Sequence, residues 1–237
     1  MGLIVLAIVA AALSVAALVQ NRASVTAVPA PSVPAVTPSS SPEQTAPSPS
    51  VSVSPTASET KPQAPPKVVV IGDSYSVGEP AATWVGPAAA GLGWGEVVNL
   101  ASPGRGFVTK PRSCNFQPCV NFEESIPLIV KAAPDIVVTF GGAADGDSEV
   151  EAAAAAYFKA LRKALPDAEI VALTPVSTAS KEPAWVASQR QAIAAAVAAV
   201  DGTLVDVGQP GIGGGRKLSA EAQKQIAGKV VAQLEAA

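Results

Sequence analysis

The chain of 237 residues contains no histidine. That absence removes the usual proton acceptor for a serine or cysteine nucleophile. It also removes the commonest side-chain metal ligand. Cysteine is nearly absent too: there are two, Cys114 and Cys119, in Pro111-Arg112-Ser113-Cys114-Asn115-Phe116-Gln117-Pro118-Cys119. Two thiols with no histidine and no obvious acidic partners make a poor metal site. Their spacing is not Cys-x-x-Cys, and no helix starts cleanly there, so a redox pair is a poor reading. Excess charge is also lacking. Sixteen basic residues face nineteen acidic ones, a net charge of −3, and the basic residues do not cluster. Nucleic-acid binding driven by electrostatics is therefore not expected. Gly213-Gly214-Gly215 lacks the Lys-Ser/Thr of a phosphate loop, and Gly104-x-Gly106 opens an irregular stretch rather than a helix. No cofactor and no metal are expected.

What is present falls into three parts. Residues 1–20 hold an uncharged run, residues 2–19, with one serine. As a helix it would be about 27 Å long, close to the hydrocarbon thickness of a bilayer. It reads as a transmembrane anchor or a signal peptide. Residues 21–66 are mostly Pro, Ser, Thr, Ala and Val with no aromatic residue. Dense proline removes backbone donors and blocks helices and ladders, so this part is expected to be a disordered, polyproline-biased linker. Residues 67–237 make one domain of ordinary size. With a membrane or export segment upstream, the two cysteines read as a local disulfide.

The domain alternates short apolar runs with alanine-rich amphipathic ones. Strands are expected at Val68–Ile71, Glu96–Leu100, Ile136–Phe140, Glu169–Thr174 and Thr203–Val207. Helices are expected at Pro80–Gly91, Phe122–Ala132, from a cap at Ser148 to Leu165, at Pro183–Val200, and from a cap at Ser219 to near Leu234. The first strand is continuously apolar, as a strand buried on both faces should be, and five apolar strands separated by helices predict an α/β fold, a three-layer α/β/α sandwich with a five-stranded parallel, flavodoxin-like sheet. Working residues in such sheets lie beyond the C-terminal strand ends. There the polar and glycine residues concentrate, in loops 73–78, 101–109, 141–147, 175–181 and 208–217.

Ser74 follows the first strand in Ile71-Gly72-Asp73-Ser74. A serine at that turn can expose its hydroxyl and aim its own N–H at the same point, which suits nucleophilic attack with oxyanion stabilisation. The motif Val70-Ile71-Gly72-Asp73-Ser74-Tyr75-Ser76-Val77-Gly78 resembles that of the SGNH (GDSL-type) hydrolases, especially secreted actinobacterial-like esterase domains. Val98-Asn99-Leu100-Ala101-Ser102-Pro103-Gly104-Arg105-Gly106-Phe107 and Val138-Thr139-Phe140-Gly141-Gly142-Ala143-Ala144-Asp145 resemble the second and third motifs, and the likeness spans roughly residues 67–235. The resemblance implies Ser74 as nucleophile position and Gly104 as an oxyanion N–H. It also places Ala144 where the family has an asparagine, Gly214 where it has an aspartate, and Lys217 where it has the histidine.

A catalytically degenerate, extracytoplasmic domain is therefore expected, membrane-anchored or secreted. It would bind a cell-envelope glycan, an acylated sugar or an envelope protein, with the membrane a partner through the N-terminal segment. The alternative is a weak or altered serine esterase in which Lys217 or another non-histidine group acts as base. Arg105, Lys110 and Arg112 suggest a modest basic patch, Asp145 a cap for the loop that follows it, and Asp206 an orienting group for a polar partner.

Overall fold

The computed structural model describes residues 64–114 and 117–237. The expected segments 1–20 and 21–66 lie outside the described residues, save for 64–66. Five strands form one parallel sheet: β1 (Val68–Gly72), β2 (Val97–Asn99), β3 (Ile136–Phe140), β4 (Glu169–Leu173) and β5 (Thr203–Val205). Their order is β2-β1-β3-β4-β5, with Val68 beside Val97 and Ile136, and Gly72 beside Phe140. Four α-helices connect them, α1 (Val85–Gly91), α2 (Ile126–Ala132), α3 (Glu151–Ala164) and α4 (Ala184–Ala198), and α5 (Ala220–Leu234) follows β5. This is the expected three-layer sandwich, with the chain reversing its direction of growth between β1 and β3.

The pleat sorts the apolar runs onto two faces. Val68 and Val70 of β1 join Val138, Phe140, Val171 and Leu173 in a core closed by α1 and α5. Val69 and Ile71 face the other way, with Val137, Ile170 and Ala172, under α3 and α4. In α3 the residues that reach this second core are Ala154, Tyr157, Phe158 and Leu161, a three- and four-residue spacing that keeps one stripe on the sheet.

Several expected elements differ in extent. The first helix is broken: Pro80–Ala82 is a 3₁₀ turn and α1 starts only at Val85. The chain turns back at this break, bringing Gly86 so close to the Pro80 carbonyl that a Cβ would not fit. The Phe122–Ala132 helix likewise begins as a 3₁₀ turn, Glu123–Ser125. Ser148 does not cap α3, whose first residue is Glu151 and whose N-cap Val150 makes no side-chain hydrogen bond. Instead the Ser148 N–H closes a turn on the Asp145 carbonyl at 3.0 Å. Ser219 does cap α5, accepting the Ala222 N–H at 3.1 Å.

The expected transmembrane helix must be corrected. No helix among the described residues is long and apolar enough to cross a membrane. The longest, α4 and α5, have 15 residues each, about 22 Å against the roughly 30 Å of a bilayer core, and each carries charge. The apolar run 2–19, on which that expectation rested, lies outside the described residues. The membrane is accordingly dropped as a partner.

Candidate functional site

The loops at the C-terminal edge of the sheet converge around the turn that follows β1. Asp73 is buried, and its Oδ1 accepts the Tyr75 N–H at 2.9 Å, capping the 3₁₀ turn Ser74–Ser76. Burial raises the Asp73 carboxyl from an ordinary 3.8 to about 7. The Tyr75 N–H opposes that rise, and the charge of Asp145 adds to it. Ser74, the first residue of the turn, is exposed.

Three elements hold this turn. Trp84 at the start of α1 donates its indole N–H to Ser76 Oγ at 3.0 Å. Asn99 at the end of β2 donates from Nδ2 to the Ser76 carbonyl at 2.7 Å. Gln223 of α5 joins the turn to Trp84, donating from Nε2 to the Tyr75 carbonyl at 3.0 Å and accepting the Trp84 N–H at 2.8 Å. The Tyr75 hydroxyl lies 3.3 Å from Thr178 Oγ1 beyond β4. The Tyr75 phenol is raised above its ordinary value, first by burial.

The loop after β2 is anchored by two buried ions acting on backbone. Arg105 is fully buried. It donates from Nε to the Val120 carbonyl at 2.9 Å and from Nη1 to the Leu100 carbonyl, and burial lowers its pKa. The expected surface patch is thus corrected, since Arg105 points inward and Lys110 pairs with Glu124 at 2.6 Å. Asp145 accepts the backbone N–H groups of Phe107, Val108 and Thr109 at 2.8, 3.0 and 2.9 Å. It therefore caps a loop 36 to 38 residues upstream, not the one that follows it. Gly106 is required by this arrangement, because a Cβ there would fall against both Asp145 oxygens. Gly104 adopts φ +77°, a left-handed conformation favouring glycine.

The loop before α5 is docked through its backbone. Gly213 N–H donates to Ala179 O at 2.7 Å, Gly215 N–H to Thr178 O at 3.1 Å, and Gly214 N–H to Gly211 O at 2.9 Å. A Cβ at Gly214 would lie 2.9 Å from the Gly211 oxygen and 3.0 Å from that of Lys217. The backbone thus fills the place where an aspartate would begin. Asp206, just beyond β5, accepts Thr174 Oγ1 and the Gly208 N–H, each at 3.0 Å. Its pKa is lowered, chiefly by the Gly208 N–H.

Ser74 and Lys217, 143 positions apart by number, line one cavity of about 420 Å³ with Tyr75, Thr83, Arg216 and Gln223. Gly104 is not among its lining residues, and Ala144 has only a methyl group. Lys217 is exposed, so the apolar enclosure that activates a lysine base is missing. Among the described residues no group of three or more His, Cys, Asp or Glu is placed to hold a metal. Cys114 and Cys119 form the expected disulfide. Gln223 was not singled out in the sequence, because a lone glutamine on an amphipathic helix carries no local signal.

No family model and no curated protein matches the chain. Solved structures do. An aryl esterase from M. smegmatis superposes with a TM-score of 0.59 at 12% identity, covering 72% of this chain and 98% of that one. A carbohydrate esterase family 2 enzyme with a carbohydrate-binding domain, from Corynascus thermopiles, gives 0.57 at 19%, covering 75% and 68%. A GDSL-like lipase from Bacteroides ovatus gives 0.53 at 16%, covering 74% and 100%. The chain thus has the fold of SGNH/GDSL-type esterases and lipases, as the motifs implied. Identities this low establish the fold alone.

Proposed function

We propose that this chain is an extracytoplasmic, SGNH-like domain that binds a ligand at the Ser74 cavity and does not turn it over. The ligand class is a cell-envelope glycan, an acylated sugar or an envelope protein. The observation that carries the reading is the pairing of a firmly held Ser74 turn with the complete absence of histidine. A serine hydroxyl without a base is a poor nucleophile at neutral pH. Loss of a triad base removes roughly a millionfold in rate in a serine protease, and loss of one oxyanion donor costs about 3–4 kcal/mol. The Cys114–Cys119 disulfide supports an oxidising, exported setting. Residues 1–20 as an export signal, 21–66 as a linker and 67–237 as the folded domain complete the proposed organisation.

A second reading has one observation in its favour: Lys217 lines the same cavity as Ser74. In that reading a weak esterase uses Ser74 with the Lys217 amine as base and the Gly104 N–H as an oxyanion donor. The two readings separate with activated short-chain esters and a serine-directed phosphonate. The binding reading expects equal background rates for the native chain, Ser74→Ala and Lys217→Ala, and no label on Ser74. Turnover lost in either variant overturns it.

A further inference from the structure

The lining of the Ser74 cavity is unbalanced in charge. Arg216 and Lys217 both contribute to it, and no Asp or Glu does. Both side chains are exposed. The ion pairs among the described residues join Lys67 to Glu96 and Lys110 to Glu124, and neither Arg216 nor Lys217 takes part in one. The amide of Gln223 on the cavity wall is already committed to Trp84 and Tyr75. The two cations are thus the charged groups the cavity offers a ligand, beside the hydroxyls of Ser74, Tyr75 and Thr83. The backbone that carries the two cations is anchored: Gly213 and Gly215 are hydrogen-bonded to Ala179 and Thr178, and α5 is capped two residues after Lys217.

We propose that this cavity binds an oxyanionic group, a carboxylate or a phosphate carried on a polyhydroxylated body such as an acidic sugar. Arg216 presents a planar fork that matches either group, Lys217 adds a point charge, and the Ser74 hydroxyl donates to an anion oxygen. A neutral ester, the substrate of an SGNH esterase, would leave both cations unanswered. The proposal rests on the binding reading above and narrows its ligand class.

The test uses the full-length, ¹⁵N-labelled chain titrated with glucuronate, its neutral analogue glucuronamide, and glucose 6-phosphate. The expected result is that the acids shift the Ser74 and Lys217 amide resonances while glucuronamide does not. Binding should weaken as salt rises. The double variant Arg216→Gln/Lys217→Gln should lose roughly tenfold in affinity, the scale of charge-assisted hydrogen bonds, with an unchanged melting temperature. Comparing glucuronate with glucose 6-phosphate tells a carboxylate site from a phosphate site. Equal shifts with glucuronate and glucuronamide, or an unaltered affinity in the double variant, overturn the anion proposal and leave the binding reading standing. No shift with either acid also overturns it. Ester turnover dependent on Ser74, measured separately, overturns the binding reading instead.

Discussion

The Asp145 carboxylate accepts the Phe107 N–H at 2.8 Å, tying the loop after β3 to the loop after β2. The same carboxylate also holds Val108 and Thr109, so one buried side chain organises three consecutive amides beside the Ser74 turn. Such a group is valuable mainly for what its removal would strand. Buried N–H groups left without acceptors cost about 1–3 kcal/mol each.

Asp145→Ala should therefore destabilise the domain by roughly 3 kcal/mol or more, read by chemical denaturation. Amide exchange at Phe107, Val108 and Thr109 should accelerate while that of β1 and β3 follows only the global loss. Gly106→Ala should mimic the defect, because its methyl would collide with the Asp145 oxygens. A loss below about 1 kcal/mol for Asp145→Ala would refute the anchoring role.

Asp73 predicts an unusual pH dependence. Its carboxyl is raised to about 7 in the folded chain from 3.8, so its stabilising contribution is full below about pH 4 and is lost as pH rises through 7. Between those values the unfolded chain has released the proton that the folded chain retains. The total is up to roughly 4 kcal/mol at about 1.36 kcal/mol per pH unit. Asp73→Asn keeps an oxygen for the Tyr75 N–H and removes the titration. Its melting temperature should exceed that of the native chain at pH 8, and the advantage should shrink towards pH 4. A constant difference across that range would count against it.

Installing the residues that the family resemblance implies at positions 144, 214 and 217 should not create turnover. In the triple variant Ala144→Asn/Gly214→Asp/Lys217→His, the new side chain at 214 starts against the Gly211 and Lys217 carbonyls. Ester turnover in this variant should stay at background, measured with activated short-chain esters. A gain of a thousandfold or so, on the order of an oxyanion contribution plus partial base function, would show that the loop reshapes readily.

Gln223→Ala should loosen the Ser74 turn by unpairing the Tyr75 carbonyl and the Trp84 N–H together. The expected cost is about 1–3 kcal/mol. Faster exchange at the Trp84 amide is the local signature, and its absence would remove Gln223 from the supporting frame.

Much of the fold was legible in the chain because its cause is local. Val68–Ile71 is an unbroken apolar run and Ile136–Phe140 is interrupted only by Thr139; both are short enough to be strands, and both are buried on two faces over most of their length. Ser219 was readable as a cap because a serine beside an amphipathic run has one favourable use. Ser148 looked the same and is not one, because Asp145 draws its N–H into a turn before the helix can start. Gly72, Asp73 and Ser74 single out position 74 in the sequence, and Ser74 lines a cavity in the structure. Arg105 was misread as surface, since charge alone does not reveal that Val120 and Leu100 carbonyls wait inside for a guanidinium.

By itself the sequence determined the alternation of strands and helices, the position of the nucleophile-like turn and the lack of a histidine base. Those follow from residue type and short-range spacing. Only the tertiary structure decided that Ser74 shares a cavity with Arg216 and Lys217 and that backbone occupies the space beside Gly214. It also decided that Asp145 serves a loop far upstream. These depend on which strand lies beside which, and on how loops from β1, β2, β3 and β5 meet at one sheet edge. That meeting is set by packing over long sequence separations, which no local pattern encodes.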